Sequence, residues 1–225
     1  AERMLAARFG DALVDHRTYV LAGDGDLMEG ISHEAMSLAG HLRLAKLTVL
    51  YDSNEISIDG ATSLTFSDNT KRRAEALGWH AFDVDGHDST AIAQAIEAAN
   101  ATCKPALIVC HTKIGFGAPT KEGSESSHGA PLGEAEIAGT REKLGWPHAP
   151  FTVPPNILAN WRETGVARAE QYAAWQERLG AANAHVRTEF ERVTSGNMPA
   201  DWTDKINELK RTINTVHCSR FANEE

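Results

Sequence analysis

Gly23, Asp24 and Gly25 stand together at the end of a short apolar run, and Asn54 follows the next such run. Asp24 offers a carboxylate directly after a predicted strand. Asn54 offers an amide oxygen after the following one, and the backbone carbonyl of Ile56 supplies a third oxygen from the same loop. Hard oxygen donors of this kind suit Mg²⁺ or Ca²⁺, with two diphosphate oxygens and a water completing six-fold coordination. Gly25 lets the backbone turn and exposes its N–H to an anion. The helix beginning near Glu29 adds its positive end. The chemistry indicated is capture of a diphosphate through a divalent cation. Gly-Asp-Gly alone is an ordinary turn, and Asp24 with Asp26 does not extend into a calcium-binding EF-hand loop, whose later acidic and glycine positions are not met. The separation from Asn54, by one helix and one strand, is what carries the reading.

Those residues need a frame that brings two strand ends side by side. Residues 18–22 and 47–51 are apolar runs that stop at Gly23 and Asp52, as buried parallel strands do. Residues 79–84 and 106–110 read as two more strands. Helical spacing marks residues 1–16, 29–44, 71–77, 91–101 and 134–144, with Ser32 as a plausible N-cap of the second. The alternation predicts an α/β fold, a parallel sheet flanked by helices, with ligands at the carboxyl ends of the strands. Residues 112–133 form a long polar loop, a length that marks function or disorder. Residues 146–155 carry prolines and read as an extended linker, and 156–193 and 201–213 as helical. Trp161, Tyr172, Trp175 and Leu179 are the expected apolar anchors there, with Trp161 and Trp175 at helical spacing on one linker helix.

The composition suits this frame. Of 225 residues, 42% are apolar and 24% charged, enough for a sizeable core. A net charge of −9 speaks against nucleic acid and anionic membranes as partners, while leaving room for an anionic ligand held by a metal. Cys103, Cys110 and Cys218 fit neither a zinc site nor a disulfide framework, so reduced cytoplasmic thiols are expected. No apolar run reaches membrane-span length, and no signal peptide is recognised. The chain opens on Ala1 inside helical-looking sequence and is expected to be a piece of something longer.

Gly23-Asp24-Gly25 at this separation from Asn54 matches the thiamine diphosphate signature. Further motifs follow in order: Asp-Gly-Asp-Leu-Met-Glu-Gly-Ile-Ser-His-Glu-Ala at 24–35, Ser-Leu-Ala-Gly-His-Leu at 37–42, Ile-Ser-Ile-Asp-Gly at 56–60, Ile-Gly-Phe-Gly at 114–117 and Ser-His-Gly-Ala-Pro-Leu at 127–132. Together they resemble transketolase of the bacterial type, from residue 1 to about 199. The resemblance implies residues 1–146 as part of the thiamine diphosphate-binding domain, lacking its front, and 147–225 as a helical interdomain linker without the pyrimidine-binding domain. It implies that Asp24, Asn54 and the Ile56 carbonyl ligate Mg²⁺ or Ca²⁺, that the Gly25 N–H touches the diphosphate, and that Ile58 packs near the cofactor. His128 would sit by the diphosphate and the substrate carbonyl, stabilising charge or moving a proton. Glu29, counted with Gly25, Ile58 and His128 among the cofactor-binding residues, and Glu34 would lie near a homodimer interface, in a carboxylate network that links two active sites. The implied reaction moves a two-carbon ketol unit between sugar phosphates, in the pentose phosphate pathway of the cytoplasm. Two departures are visible: Ser53 stands where many relatives carry Asp or Asn, and residues 118–126 contain no histidine.

Other readings stay open at this point. Glu29 and Glu34 are also ordinary first-turn helix acids, and His128 alone would be an ordinary solvated loop residue. Dihydroxyacetone synthase uses the same cofactor class; deoxyxylulose-phosphate synthase fits the 127–132 motif less well. A non-catalytic remnant that binds only cofactor or a partner subunit is the alternative from another class. The isolated chain is expected to be inactive.

Overall fold

The apolar runs become strands, and their alternation decides which helix covers which face. The computed structural model describes residues 1–221, with side chains through residue 213. Two compact units are present, one of residues Ala1–Met4 with Asp15–Arg162, the other of Leu5–Val14 with the helices from Glu163 onward.

The first unit holds α1 (Glu2–Phe9) in part, then β1 (Thr18–Gly23), α2 (Asp24–Met28), α3 (Gly30–His41), β2 (Leu47–Ser53), the hairpin β3 (Ile56–Ser57) and β4 (Gly60–Ala61), α4 (Thr70–Ala76), β5 (His80–Asp85), α5 (Ser89–Asn100), β6 (Ala106–His111) and α6 (Glu134–Lys143). The four long strands form one sheet in the order β1-β2-β6-β5, every pair parallel. Side chains alternate between faces with the two-residue period of a strand. Tyr51, Val49, Leu107 and Val109 face Met36 and Ala39 of α3 and Ala74 of α4. Ala106, Ile108 and Cys110 face Ala95 and Ala99 of α5. β6 is buried along five of its six positions, which is why it reads as a continuous apolar run. α3 lies close to the turn after α4 because residue 40 is glycine: a Cβ there would stand 1.8 Å from the Leu77 carbonyl oxygen.

Several boundaries differ from expectation. The helix expected over 1–16 ends at Phe9, where Gly10 takes a φ of 86° and its N–H bonds Ala6 O. Ser32 is not the N-cap of α3. α3 starts at Gly30 with Glu29 as cap, and the Ser32 hydroxyl instead donates to the Asp26 carbonyl at 2.5 Å. Gly-Asp-Gly is not a simple turn either, because Asp24 and Gly25 open α2. The long loop after β6 is folded: Gly123 N–H bonds Ile114 O, and the Ser127 hydroxyl donates to Ser124 O at 2.7 Å.

Residues 156–193 break into α7 (Pro155–Val166), α8 (Ala169–Ala181) and α9 (Ala184–Thr194), followed by α10 (Trp202–Phe221). Asn183 caps α9 by accepting His185 N–H at 2.9 Å. Trp161 and Trp175 therefore sit on different helices. Trp161 is 81% exposed. In the second unit, Trp175 donates its indole N–H to Leu13 O at 3.0 Å and packs with Phe190, Leu13 and Val14. Phe9 meets Phe190 edge-on at 5.3 Å. Tyr172, another expected anchor, is exposed.

Among the described residues no helix is long and apolar enough to cross a membrane. Cys110 is buried and Cys103 exposed, both as free thiols; the side chain of Cys218 lies outside the described residues.

Candidate cofactor and metal site

β1 and β2 run in register with Gly23 beside Asp52, so the residues that follow each strand emerge together. That is how Asp24 and Asn54, distant in sequence, become neighbours. Asp24, the first residue of α2, is 8% exposed. Its Oδ2 accepts the N–H groups of Asn54 at 3.2 Å and Glu55 at 2.9 Å. Its Oδ1 accepts the phenol hydroxyl of Tyr51. Glu55 holds a φ of 62°, an uncommon conformation for a side-chain-bearing residue, and in it the amide points at Asp24. A carboxylate has about four lone-pair sites, so about one remains for a cation.

Asn54 Oδ1 accepts Ile56 N–H at 3.0 Å, which folds the loop back toward the β3–β4 hairpin. Asn54 Nδ2 leans on Asp52 Oδ2 at 3.4 Å, and Asp52 Oδ1 accepts the Thr112 hydroxyl. The amide oxygen of Asn54 is thereby oriented from both sides. Gly25 is the second residue of α2, where an amide has no helical carbonyl to bond. A Cβ at Gly25 would meet nothing within 4 Å, so the chain is open on the side where a side chain would stand. Ile58, at the hairpin turn, is 74% exposed.

The remaining expected residues are placed separately. Glu29 caps α3 and is exposed, as is Glu34 one turn on. Glu34 shares the outer side of that helix with Ile31, Leu38 and Leu42, all exposed. His128 ends a short 3-10 turn, Glu125–Ser127, with its N–H on Glu125 O at 2.8 Å. No hydrogen bond joins it to the Asp24–Asn54 cluster among the described residues.

Three residues around this cluster were not singled out by sequence reasoning. Tyr51 is buried, and burial followed by its bond to Asp24 pushes the phenol up to about 12, so it stays a donor. Its signal was a tyrosine closing the apolar run 47–51 of β2, since a buried phenol needs a partner. Asp52 braces Asn54. Arg73 on α4 donates to the Leu27 carbonyl near the end of α2 at 3.1 Å and pairs with Asp68 at 2.9 Å. A cleft of about 350 Å³ opens beside Asp24 and Tyr51, lined also by Thr70, Lys71, Asp83 and His111. There Asp83 bonds both Lys71 and His111, the latter at 3.1 Å.

Residues 1–199 match the family model described as "Transketolase, thiamine diphosphate binding domain". A transketolase of Sinorhizobium medicae is 51% identical over 226 residues, covering 100% of this chain and 32% of the relative. The structure of transketolase from Leishmania mexicana superposes with a TM-score of 0.83 at 42% identity, over 91% of this chain and 32% of that one. A transketolase from Pichia stipitis, solved in complex with sedoheptulose-7-phosphate, gives 0.80 at 37%, over 89% and 32%. The chain thus spans about a third of the length of the relatives it matches. With its parallel sheet and strand-end cluster, it belongs to the family of transketolase thiamine diphosphate-binding domains.

Proposed function

We propose that this chain is the metal-diphosphate-binding part of a transketolase, which transfers a two-carbon ketol unit from a ketose phosphate to an aldose phosphate. The observation that carries the proposal is the meeting of Asp24 and Asn54 at the ends of β1 and β2. On this reading residues 1–146 would be the cofactor-binding part, and the segment that follows, with α7 to α10, a helical linker.

The donor set fits the group. Asp24 keeps about one lone pair, Asn54 Oδ1 has one bond and room for another, and open space lies over Gly25. Asp24, Asn54 and the Ile56 carbonyl would hold Mg²⁺ or Ca²⁺, all oxygen donors as those cations require. The Gly25 N–H would bond the diphosphate, and Ile58 would shield the cofactor's side from water. Thiamine diphosphate, when bound, supplies the carbanion chemistry of ketol transfer. His128, exposed on an ordered loop, would stabilise charge or hold a proton beside the substrate carbonyl. Proton handling of this kind contributes roughly 10²–10⁴-fold to such reactions. Sugar phosphates as substrates are supported by the ligand named for the Pichia stipitis relative.

Glu29 and Glu34 would lie near a homodimer interface. The exposed helical stripe Ile31, Leu38 and Leu42 beside Glu34 supports that assignment. A cytoplasmic location accords with the free thiols of Cys103 and Cys110.

Calorimetry of thiamine diphosphate binding, with and without Mg²⁺, tests the site. Metal-dependent binding that disappears in Asp24→Ala is the expected result. Equal affinity with and without the cation, or an unchanged Asp24→Ala variant, would refute the ligand assignment.

A further inference from the structure

Three donors converge on the Asp24 carboxylate, and they differ in how firmly they are held. The N–H groups of Asn54 and Glu55 come from the loop after β2, and Glu55 sits in a left-handed conformation. Tyr51 belongs to β2 itself, flanked by its register partners Ala22 on β1 and Val109 on β6. Its ring is 6% exposed and packs in the core cluster with Met36, Val49 and Leu107. A side chain so enclosed has few rotamers open to it, and its hydroxyl meets Asp24 Oδ1 from inside the sheet.

We propose that Tyr51 is a positioning residue for the metal: its hydroxyl fixes the rotation of the Asp24 carboxylate so that the one remaining lone pair faces the cation. The proposal rests on the assignment of Asp24 as a ligand made above. Partners that orient a metal ligand through a hydrogen bond are commonly worth 10–100-fold in metal affinity. Phenylalanine at this position would keep the ring and its packing but leave Oδ1 without that donor. The carboxylate, tied then only through Oδ2 to a loop, would turn away from the cation in part of the population. Glu55 and Asn54 cannot replace the phenol, because their amides already serve Oδ2.

The test is a calcium titration of the 225-residue chain at fixed thiamine diphosphate, comparing the parent, Tyr51→Phe and Asp24→Ala. Far-ultraviolet ellipticity serves as the check on folding. The expected result is a calcium half-saturation about 10–100-fold higher in a folded Tyr51→Phe variant, with diphosphate affinity in chelator unchanged. A purely structural role would lower the melting temperature equally with and without calcium and leave the half-saturation where it was; that outcome overturns the proposal. Should Tyr51→Phe not fold, fluorine spectra of the parent labelled with 3-fluorotyrosine decide. The chain has three tyrosines, and Tyr19 and Tyr172 are exposed, which distinguishes the buried Tyr51 resonance. That resonance should shift when calcium binds with the diphosphate, and its silence on binding overturns the proposal. If Asp24→Ala abolishes the calcium dependence while Tyr51→Phe keeps it, only the positioning role falls. If Asp24→Ala keeps it, or the parent shows none, the ligand assignment falls and this inference with it.

Discussion

Glu122 releases its proton far more readily than an ordinary glutamate, at about 2, because the Lys143 ammonium and the Gly117 N–H bond its carboxylate at 2.8 Å each. A pKa below the unfolded value of 4.5 means the charged carboxylate favours the folded loop. That contribution is complete above about pH 4.5 and is lost as pH falls toward 2. Glu122→Gln should therefore speed hydrogen exchange at the Gly117 amide at neutral pH and flatten the dependence of loop protection on acid. A variant that keeps the parent's acid profile would show that other groups hold the loop. Residue-scale legibility was uneven for a physical reason. Asp24 and Asn54 were readable because glycine neighbours and strand-end placement are local properties of the chain. The roles of Tyr51 and Arg73 were not, because their partners, Asp24 and Leu27, lie far away in sequence and meet them only through the sheet and the packing of α4.

The elements that carry the site are held by close approach as much as by apolar burial. Alanine at residue 40 would gain helix propensity of about 1 kcal/mol. It would also place a methyl 1.8 Å from the Leu77 carbonyl, a backbone atom that cannot swing aside. Overpacking costs about 1–3 kcal/mol or more, and a backbone clash this close belongs at about 3, so Gly40→Ala should be destabilising by about 2 kcal/mol net, a fall of roughly 4–8 °C in melting temperature for a chain of this size. A thermal scan showing equal or higher stability would mean that α3 and the Leu77 turn are less tightly joined than their geometry indicates. The strands were legible because each is a continuous or alternating apolar run. The breaks near residues 167 and 182 were not, since the sequence there keeps a broadly helical composition and no proline marks the boundary.

At the scale of the molecule, the outer face of α3 presents Ile31, Leu38 and Leu42 to solvent beside Glu34. An interface between two copies related by a two-fold axis would bring that stripe against itself. A charge buried there without a partner costs several kcal/mol. In the homodimer proposed above, Leu38→Glu should therefore raise the dissociation constant by roughly 100-fold or more, read by sedimentation, with far-ultraviolet ellipticity unchanged. An unaltered dimer would exclude this face from the interface. The second unit offers a separate check: Phe190→Ala removes the aromatic centre shared with Phe9 and Trp175 and should cost about 3–5 kcal/mol. Amide exchange across α8 and α9 would report it.

Sequence alone determined the strand–helix alternation, the placement of Asp24 and Asn54 after successive strands and the family to which their combined motifs belong. All of these depend on residue type and spacing along one chain. Tertiary structure decided the rest. Parallel register between β1 and β2 set Asp24 beside Asn54, and the central placement of β2 turned a core tyrosine toward the carboxylate. Those outcomes follow from contacts between residues far apart in the chain, which local propensity does not encode.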